Sequence, residues 1–235
     1  MAVYMIHACL NRMWYVRDFM IPSMVEQGIN PDNILVYKDV NRIGNLRAFV
    51  DSSNRLVDMC KRKGIKKVWH LQDDVCISRD FKKSTEILDA WSKDDDIICG
   101  FTCAYDKMPI AGTFKVQEDR MWFSFPCIRI PTSILNAFVS WANLNLWQSQ
   151  YFRNWVLKNK ADDLIFREWL IDNFPCATVL NLNPNLVNHV DDLIGGTVCN
   201  KQRDKEQNTR SIYWTDDSVI EELEKKLNEY KLPST

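Results

Sequence analysis

Two rhythms alternate along the first half of this chain. Short, mostly apolar runs recur at 2–10, 34–38, 66–72 and 96–103, and between them apolar residues fall three or four positions apart. Short runs without in–out alternation read as strands buried on both faces, and the wider spacing reads as amphipathic helix. Helices are therefore expected at 14–27, 45–63 and 80–91. The first ends at Gly28, a residue type that tolerates the positive φ of a helix C-terminus, and Pro22 marks a kink or break within it. The second carries Leu46, Phe49, Val50, Leu56 and Val57 on its apolar face and stops at Gly64. This strand–helix alternation predicts an α/β fold with a mainly parallel sheet and helices on both faces.

Beyond 103 the rhythm changes. A polar loop at 104–120 precedes a strand at 121–130, and Pro131 opens a helix running to about 142. Further helices are expected at about 145–159 and 162–173, a strand at 177–182, and a terminal helix at 216–230 with Val219, Ile220, Leu223 and Leu227 on one face. Gly195-Gly196 and the polar segment 197–210 read as a lid. With no internal repeat, residues 1–235 form a single domain with a mixed second half.

Composition narrows the function classes. The 235 residues are 46% hydrophobic and 26% charged, which is ordinary for a globular protein. A net charge of −1 offers no global footprint for nucleic acid, and seven glycines make a Gly-rich phosphate loop unexpected. The eight cysteines form no CxxC pair, so buried free thiols in a reducing cytoplasm are expected and a zinc site is not. Met1–Leu10 has no basic leader, and the sequence contains no apolar run of membrane-spanning length, so neither a signal peptide nor a membrane partner is expected.

The densest chemistry lies at strand ends. Val68-Trp69-His70-Leu71-Gln72-Asp73-Asp74-Val75 is an apolar strand closing on adjacent carboxylates. At the carboxyl edge of an open α/β sheet, ligands bind, and two such carboxylates repel unless a cation compensates them. A hard divalent ion bridging them to a diphosphate is one solution; a plain turn or helix cap is the other. The first strand exits into Asn11-Arg12 at the same edge, and the second into Asp39, followed by Arg42-Ile43-Gly44-Asn45-Leu46-Arg47 at a helix start. Asp39 is placed to accept from a pyrimidine N3–H, and Arg12 to meet a base or phosphate.

This ordering, strand–Asn11-Arg12, strand–Asp39, Gly44-Asn45 and then Leu71-Gln72-Asp73-Asp74-Val75, resembles the nucleotide-sugar glycosyltransferases of the GT-A fold. The last segment is similar to their DxD segment, whose carboxylates hold ribose and metal; Gln72 departs from it at the first position. The resemblance implies a GT-A-like, Rossmann-like sheet whose half 1–103 binds the nucleotide sugar and whose half 104–235 binds the acceptor. Asn11, Arg12, Asp39, Gly44, Asn45, Gln72 and Asp73 then face the donor, with UDP the favoured carrier. Asp74 faces a Mn²⁺ or Mg²⁺ ion. Asn185-Leu186-Val187-Asn188-His189-Val190 resembles the late Pro-x-Leu-Val-x-His segment, which makes His189 a second metal ligand. Asp162-Asp163 at a helix start matches the position of the general base in inverting members, with Asp163 preferred and Asp162 in reserve; acids are also favoured there by the helix dipole alone.

The activity implied is hexosyl or pentosyl transfer to a hydroxyl. Small phage-encoded glycosyltransferases are similar in size and character, which implies a hydroxymethylated base in double-stranded phage DNA as acceptor and the host cytoplasm as location. An envelope glycan or lipid-linked saccharide is the competing acceptor. A sugar-phosphate nucleotidyltransferase is disfavoured by the missing Gly-rich loop after the first strand, and Gln72 keeps a non-catalytic nucleotide-sugar-binding protein open.

Other features carry simpler readings. His7 is expected as a hydrogen-bonded core residue, and Asp191-Asp192 as spare ligands or loop charges. Lys61-Arg62-Lys63-Gly64-Ile65-Lys66-Lys67 complements a helix C-terminus at the edge away from the site, and Asp94-Asp95-Asp96 is a solvated turn. Trp141, Trp147, Trp155 and Trp169 are expected to fill the helical layer.

Overall fold

Tyr4–Cys9 forms strand β1. The chain turns straight off its end into consecutive helical segments: Leu10–Arg12 (3-10), Met13–Tyr15 (α), Val16–Met20 (π) and Ile21–Glu26 (α), together α1 (10–26). The helix thus begins at Leu10 rather than 14, and places Asn11 and Arg12 in a tight turn rather than a loop. The π turns, where the Ile21 N–H reaches the Val16 carbonyl, immediately precede Pro22, which cannot donate to the carbonyl of Asp18. Helical geometry therefore survives Pro22 without a break. Gly28 ends the helix at φ 83°, with Gly28 N–H on Val25 O at 2.8 Å and Ile29 N–H on Met24 O at 3.1 Å.

The computed structural model describes residues 2–39, 45–101, 113–115, 125–146, 162–195 and 214–230. After α1 come β2 (Ile34–Asp39), α2 (Asn45–Lys63), β3 (Lys67–Gln72), β4 (Val75–Ile77), α3 (Phe81–Trp91), β5 (Ile97–Cys99) and β6 (Thr113–Lys115). Next are β7 (Cys127–Pro131), α4 (Thr132–Asn145), α5 (Asp162–Asn173), β8 (Thr178–Asn181), β9 (Val187–His189) and α6 (Asp217–Glu229). Among the described residues, seven strands form one sheet in the order β2-β1-β3-β7-β5-β8-β6. β1 pairs in parallel with β2 and β3, and β5 in parallel with β8, while β7 and β6 run against their neighbours. The expected α/β architecture, mainly parallel and then mixed, is the one observed.

Alternation along the strands divides the core between the two faces. Met5 and Val68 join Phe49, Phe138 and Phe166 beneath α2, α4 and α5, whereas Tyr4, Ile6 and Leu71 join Tyr15, Phe81 and Leu223 beneath α1, α3 and α6. Arg129 of β7 is fully buried and donates to Asp89 Oδ1, Ser92 Oγ and the carbonyls of Lys93 and Asp96 at 2.6–3.1 Å. It ties the turn after α3 to the sheet.

Three details differ from expectation. β6 lies inside the segment 104–120 read as a loop; a three-residue edge strand is too short to show a period. The strand expected over 96–103 is limited to Ile97–Cys99, although Gly100 keeps its register with β7 by donating to Cys127 O at 2.9 Å. β4 and β9 form a separate antiparallel ribbon that was not foreseen. The helix expected at 145–159 falls mostly outside the described residues, as do Gly196 and the segment 197–210. So do Cys103, Cys199, Trp147 and Trp155. Trp169 is buried and Trp141 partly so, in the helical layer as expected. Cys60, Cys76, Cys99 and Cys127 are buried free thiols; Cys9 is half-buried and Cys176 exposed.

Candidate active site at the carboxyl edge of the sheet

The connection from β1 leads to β2 on one side, and the next strand, β3, lies on the other. The gap beyond the carboxyl ends of β1 and β3 is therefore the topological switch point, where open α/β sheets hold ligands. Both edges of that gap are polar. Asp73 and Asp74 leave β3 in the turn before β4, and both are buried. Arg12, from the first turn after β1, spans them with one nitrogen: Nη1 lies 2.9 Å from Asp73 Oδ1 and 2.5 Å from Asp74 Oδ2. The second Asp73 oxygen accepts the Cys9 backbone N–H at 2.6 Å. A backbone amide leaves no mark in a sequence, so that contact had no signal to be read from.

The ribbon supplies the fourth member. β4 and β9 pair Val75 with His189, and Val190 N–H donates to Asp74 O at 2.8 Å. This register sets His189 Nε2 at 3.2 Å from Asp74 Oδ1, while Nδ1 lies 3.1 Å from Asp191 Oδ1. Neither ion-pair contact has hydrogen-bond alignment, so Asp74 Oδ1 is a buried carboxylate oxygen without an aligned donor. Tyr15 OH fixes the ribbon from α1 by donating to Val75 O at 3.0 Å.

Charge in this cluster is strongly perturbed. Burial alone would raise the Asp74 carboxyl, but His189 and Arg12 outweigh it and hold Asp74 well below the usual carboxylate range. Asp73 moves the other way: burial and the neighbouring Asp74 charge raise it against Arg12 and the Cys9 amide. For His189, burial acts downward, yet Asp74 and Asp191 together lift it to about 9. Arg12 is raised too, because its two carboxylates outweigh its own desolvation.

The remaining sequence-predicted residues divide. Asn11 sits beside Arg12 in the 3-10 turn, Asp39 is the last residue of β2, paired in register with Cys9, and Gln72 closes β3 with its N–H on Pro126 O at 3.1 Å. Asn45 begins α2, and Gly44 lies outside the described residues. Asp163 stands in the first turn of α5, where its Oδ1 accepts the Leu164 N–H at 2.9 Å. One turn later Phe166 packs against Phe125 (5.4 Å between centroids) and Phe49 (6.2 Å), which brings this end of α5 toward the edge where β3 ends. The side chain of Asp162 is outside the described residues. The basic run 61–67 is confirmed at the opposite edge, where Lys66 and Lys67 pair with Asp94.

On the α2 face of β1 and β3, His7 and His70 lie edge-on, 6.0 Å apart. Burial lowers His7 to about 4 and His70 to about 3, so both rings are neutral at physiological pH. His70 has no aligned partner for either ring nitrogen; it packs against Phe49 and Phe125 instead.

No protein-family model and no curated protein matches this sequence. Among solved structures, the chain is similar to A197 from STIV, with 13% identity over 80% of this chain and 85% of that one, at a TM-score of 0.44. A glycosyltransferase involved in the glycosylation of the major capsid of PBCV-1 aligns with 77% of this chain and 82% of its own, at 9% identity and TM-score 0.44. TarS 1-349 of S. aureus aligns with 82% of this chain and 61% of its own, at 11% identity and TM-score 0.49.

Proposed function

We propose that this protein is a metal-dependent glycosyltransferase of the GT-A type, transferring a hexose or pentose from a UDP-sugar to a hydroxyl acceptor. The observation that carries the reading is the convergence of Arg12, the Asp73-Asp74 pair and His189 on the switch point between β1 and β3. Buried paired carboxylates at a ligand-binding edge are costly, and a site that handles a diphosphate and its cation gives them a use.

The donor set fits a hard divalent ion. Mn²⁺ and Mg²⁺ are commonly held by one or two protein ligands, the rest of the shell being water and substrate phosphate. Asp74 and His189 present a carboxylate oxygen and an imidazole nitrogen 3.2 Å apart, two donors that such an ion would accept. Among the described residues no cluster of three or more ligating side chains is present. Asp74 and a deprotonated His189 would hold the ion. When bound, it supplies Lewis-acid stabilisation of the charge that develops on the leaving diphosphate.

The chain's own residues do the remainder. Asp39 accepts from the base N3–H, and Asn11, Arg12, Asn45, Gln72 and Asp73 orient ribose and phosphates, Gly44 belonging to the same donor segment. Asp163 takes the proton of the acceptor hydroxyl as that oxygen attacks the anomeric carbon; the bond to the diphosphate breaks, and the configuration inverts. Asp162 is the reserve base. A hydroxymethylated base in DNA is the first acceptor to test, and an envelope glycan the second.

The test is a thermal-shift panel of nucleotide sugars with and without Mn²⁺. A ligand at a hundred times its dissociation constant stabilises the native state by about 2.7 kcal/mol. One UDP-sugar should raise Tm only with Mn²⁺, and Asp74→Asn should abolish that shift. Asp163→Asn should keep the shift and lose transfer by about two orders of magnitude or more. Absence of a shift with every nucleotide sugar, for the folded wild-type protein, would refute the reading. A metal-dependent shift without turnover of any donor would instead mark a binding protein.

A further inference from the structure

Arg12 occupies the carboxylate that the proposed metal needs. Its Nη1 stands 2.5 Å from Asp74 Oδ2, and the other oxygen of that carboxylate faces His189. Asp73 is engaged at both oxygens, by Arg12 and by the Cys9 amide. The Arg12 side chain is only 5% exposed, so its charge is poorly screened. A divalent ion arriving alone would meet a guanidinium on the same buried carboxylate, and like charges a few ångströms apart repel strongly where water is excluded.

The position of Arg12 supplies the way out. It belongs to the first turn after β1, at the switch point where the phosphates of a ligand held at this edge lie. Its planar fork suits a phosphate as well as a carboxylate. A diphosphate brings both an alternative partner for the guanidinium and the negative charge that balances the ion.

Resting on the glycosyltransferase reading, we propose that Arg12 is an exchangeable counter-cation: in the donor-free protein it stands in for the metal on Asp74, and on donor binding its guanidinium transfers from Asp74 to the diphosphate while the ion takes its place. Metal and nucleotide then bind cooperatively, and the metal alone binds poorly. No covalent bond changes; two ion pairs exchange partners.

The experiment measures Mn²⁺ binding by electron paramagnetic resonance and UDP binding by calorimetry, in wild-type protein and Arg12→Met. Saturating UDP should tighten Mn²⁺ binding to the wild type by about tenfold or more, within the usual range of site–site coupling. Arg12→Met should bind Mn²⁺ without UDP about tenfold more tightly than the wild type, and bind UDP in excess Mn²⁺ about tenfold more weakly. A crystal structure of the wild type with Mn²⁺ and UDP needs no variant to fold, and should show Arg12 off Asp74 and on a phosphate oxygen. The exchange is overturned if Arg12→Met binds Mn²⁺ no tighter than the wild type, or if Arg12 still bridges Asp73 and Asp74 beneath bound Mn²⁺–UDP; in both cases the donor site itself stands. If the wild type takes up neither Mn²⁺ nor UDP, the glycosyltransferase reading falls, and the exchange with it.

Discussion

Replacing His70 by Phe should make the protein markedly less sensitive to acid. His70 is buried among Phe49, Phe125 and His7, and burial, aided by His7, lowers it from 6.5 to about 3 against a weak opposing contribution from the Phe125 backbone. The folded protein therefore refuses a proton that the unfolded chain accepts. Stability depends on pH through the difference in bound protons, so the penalty is absent above pH 6.5, grows as pH falls below it, and levels off near pH 3. A pH of 4.5 lies two units below the ordinary imidazole value of 6.5 and above the lowered one, which at about 1.4 kcal/mol per unit costs about 2.8 kcal/mol. His7, lowered to about 4 by burial against the pull of Asp39 and Asp74, adds a similar loss, but does so in both proteins. Urea unfolding followed by tryptophan fluorescence at pH 7.5 and 4.5 isolates the difference: His70→Phe should keep about 2.8 kcal/mol more of its stability on acidification than the wild type. At pH 7.5 the variant should be as stable or more so, because neither ring nitrogen of His70 has an aligned partner to lose. Equal losses in the two proteins between these pH values would show that His70 titrates normally, and that the packed, neutral His7–His70 layer is wrong.

Two further substitutions probe the scaffold that positions the site. Arg129→Met removes a fully buried guanidinium with partners on Asp89, Ser92, Lys93 and Asp96, and should cost about 3 kcal/mol or more in urea unfolding; a loss below about 1 kcal/mol would contradict its anchoring role. At Gly100 an added Cβ would lie 2.8 Å from Cys127 Sγ and 3.2 Å from Leu186 Cδ1. Gly100→Ala should therefore destabilise by about 1–3 kcal/mol, and the double variant Gly100→Ala, Cys127→Ala should recover part of that loss.

The parallel half of the sheet was legible because strands buried on both faces must be apolar without interruption, and the helices between them show a clear face. Convergence at the site was legible for the same reason: Asn11-Arg12, Asp39 and Gln72-Asp73-Asp74 each follow a recognisable strand, and parallel strands end at one edge. The ribbon was not legible. Val75–Ile77 and Val187–His189 are three residues each, short enough to pass for loop, and become strands only by pairing with each other. Asp191 and Asp192 look alike in the sequence, yet one is buried beside His189 and the other exposed, a difference set by the turn that follows β9. His7 was expected to be a hydrogen-bonded core residue; its visible surroundings are instead aromatic, with Tyr37 at 5.6 Å and His70 at 6.0 Å.

That ribbon explains how one site is assembled from distant parts of the chain. β1 and β3 bring Arg12 and the acidic pair together through the parallel sheet, and among the described residues of that half Arg12 is the side chain that ion-pairs with Asp74. The chain next lays down β5 and β6, then inserts β7 antiparallel between β3 and β5, adds β8 beside β5, and only after β8 does it return to lay β9 along β4. Val190 N–H on Asp74 O and Tyr15 OH on Val75 O hold the two sides of the ribbon at fixed depth. His189 thus reaches Asp74 by backbone registration, not by the reach of a long side chain, and a slip of one residue in β9 would turn it to the opposite face. The local cost of burying Asp73 and Asp74 is met on one side by Arg12, from the first turn after β1, and on the other by His189, whose place the ribbon register sets.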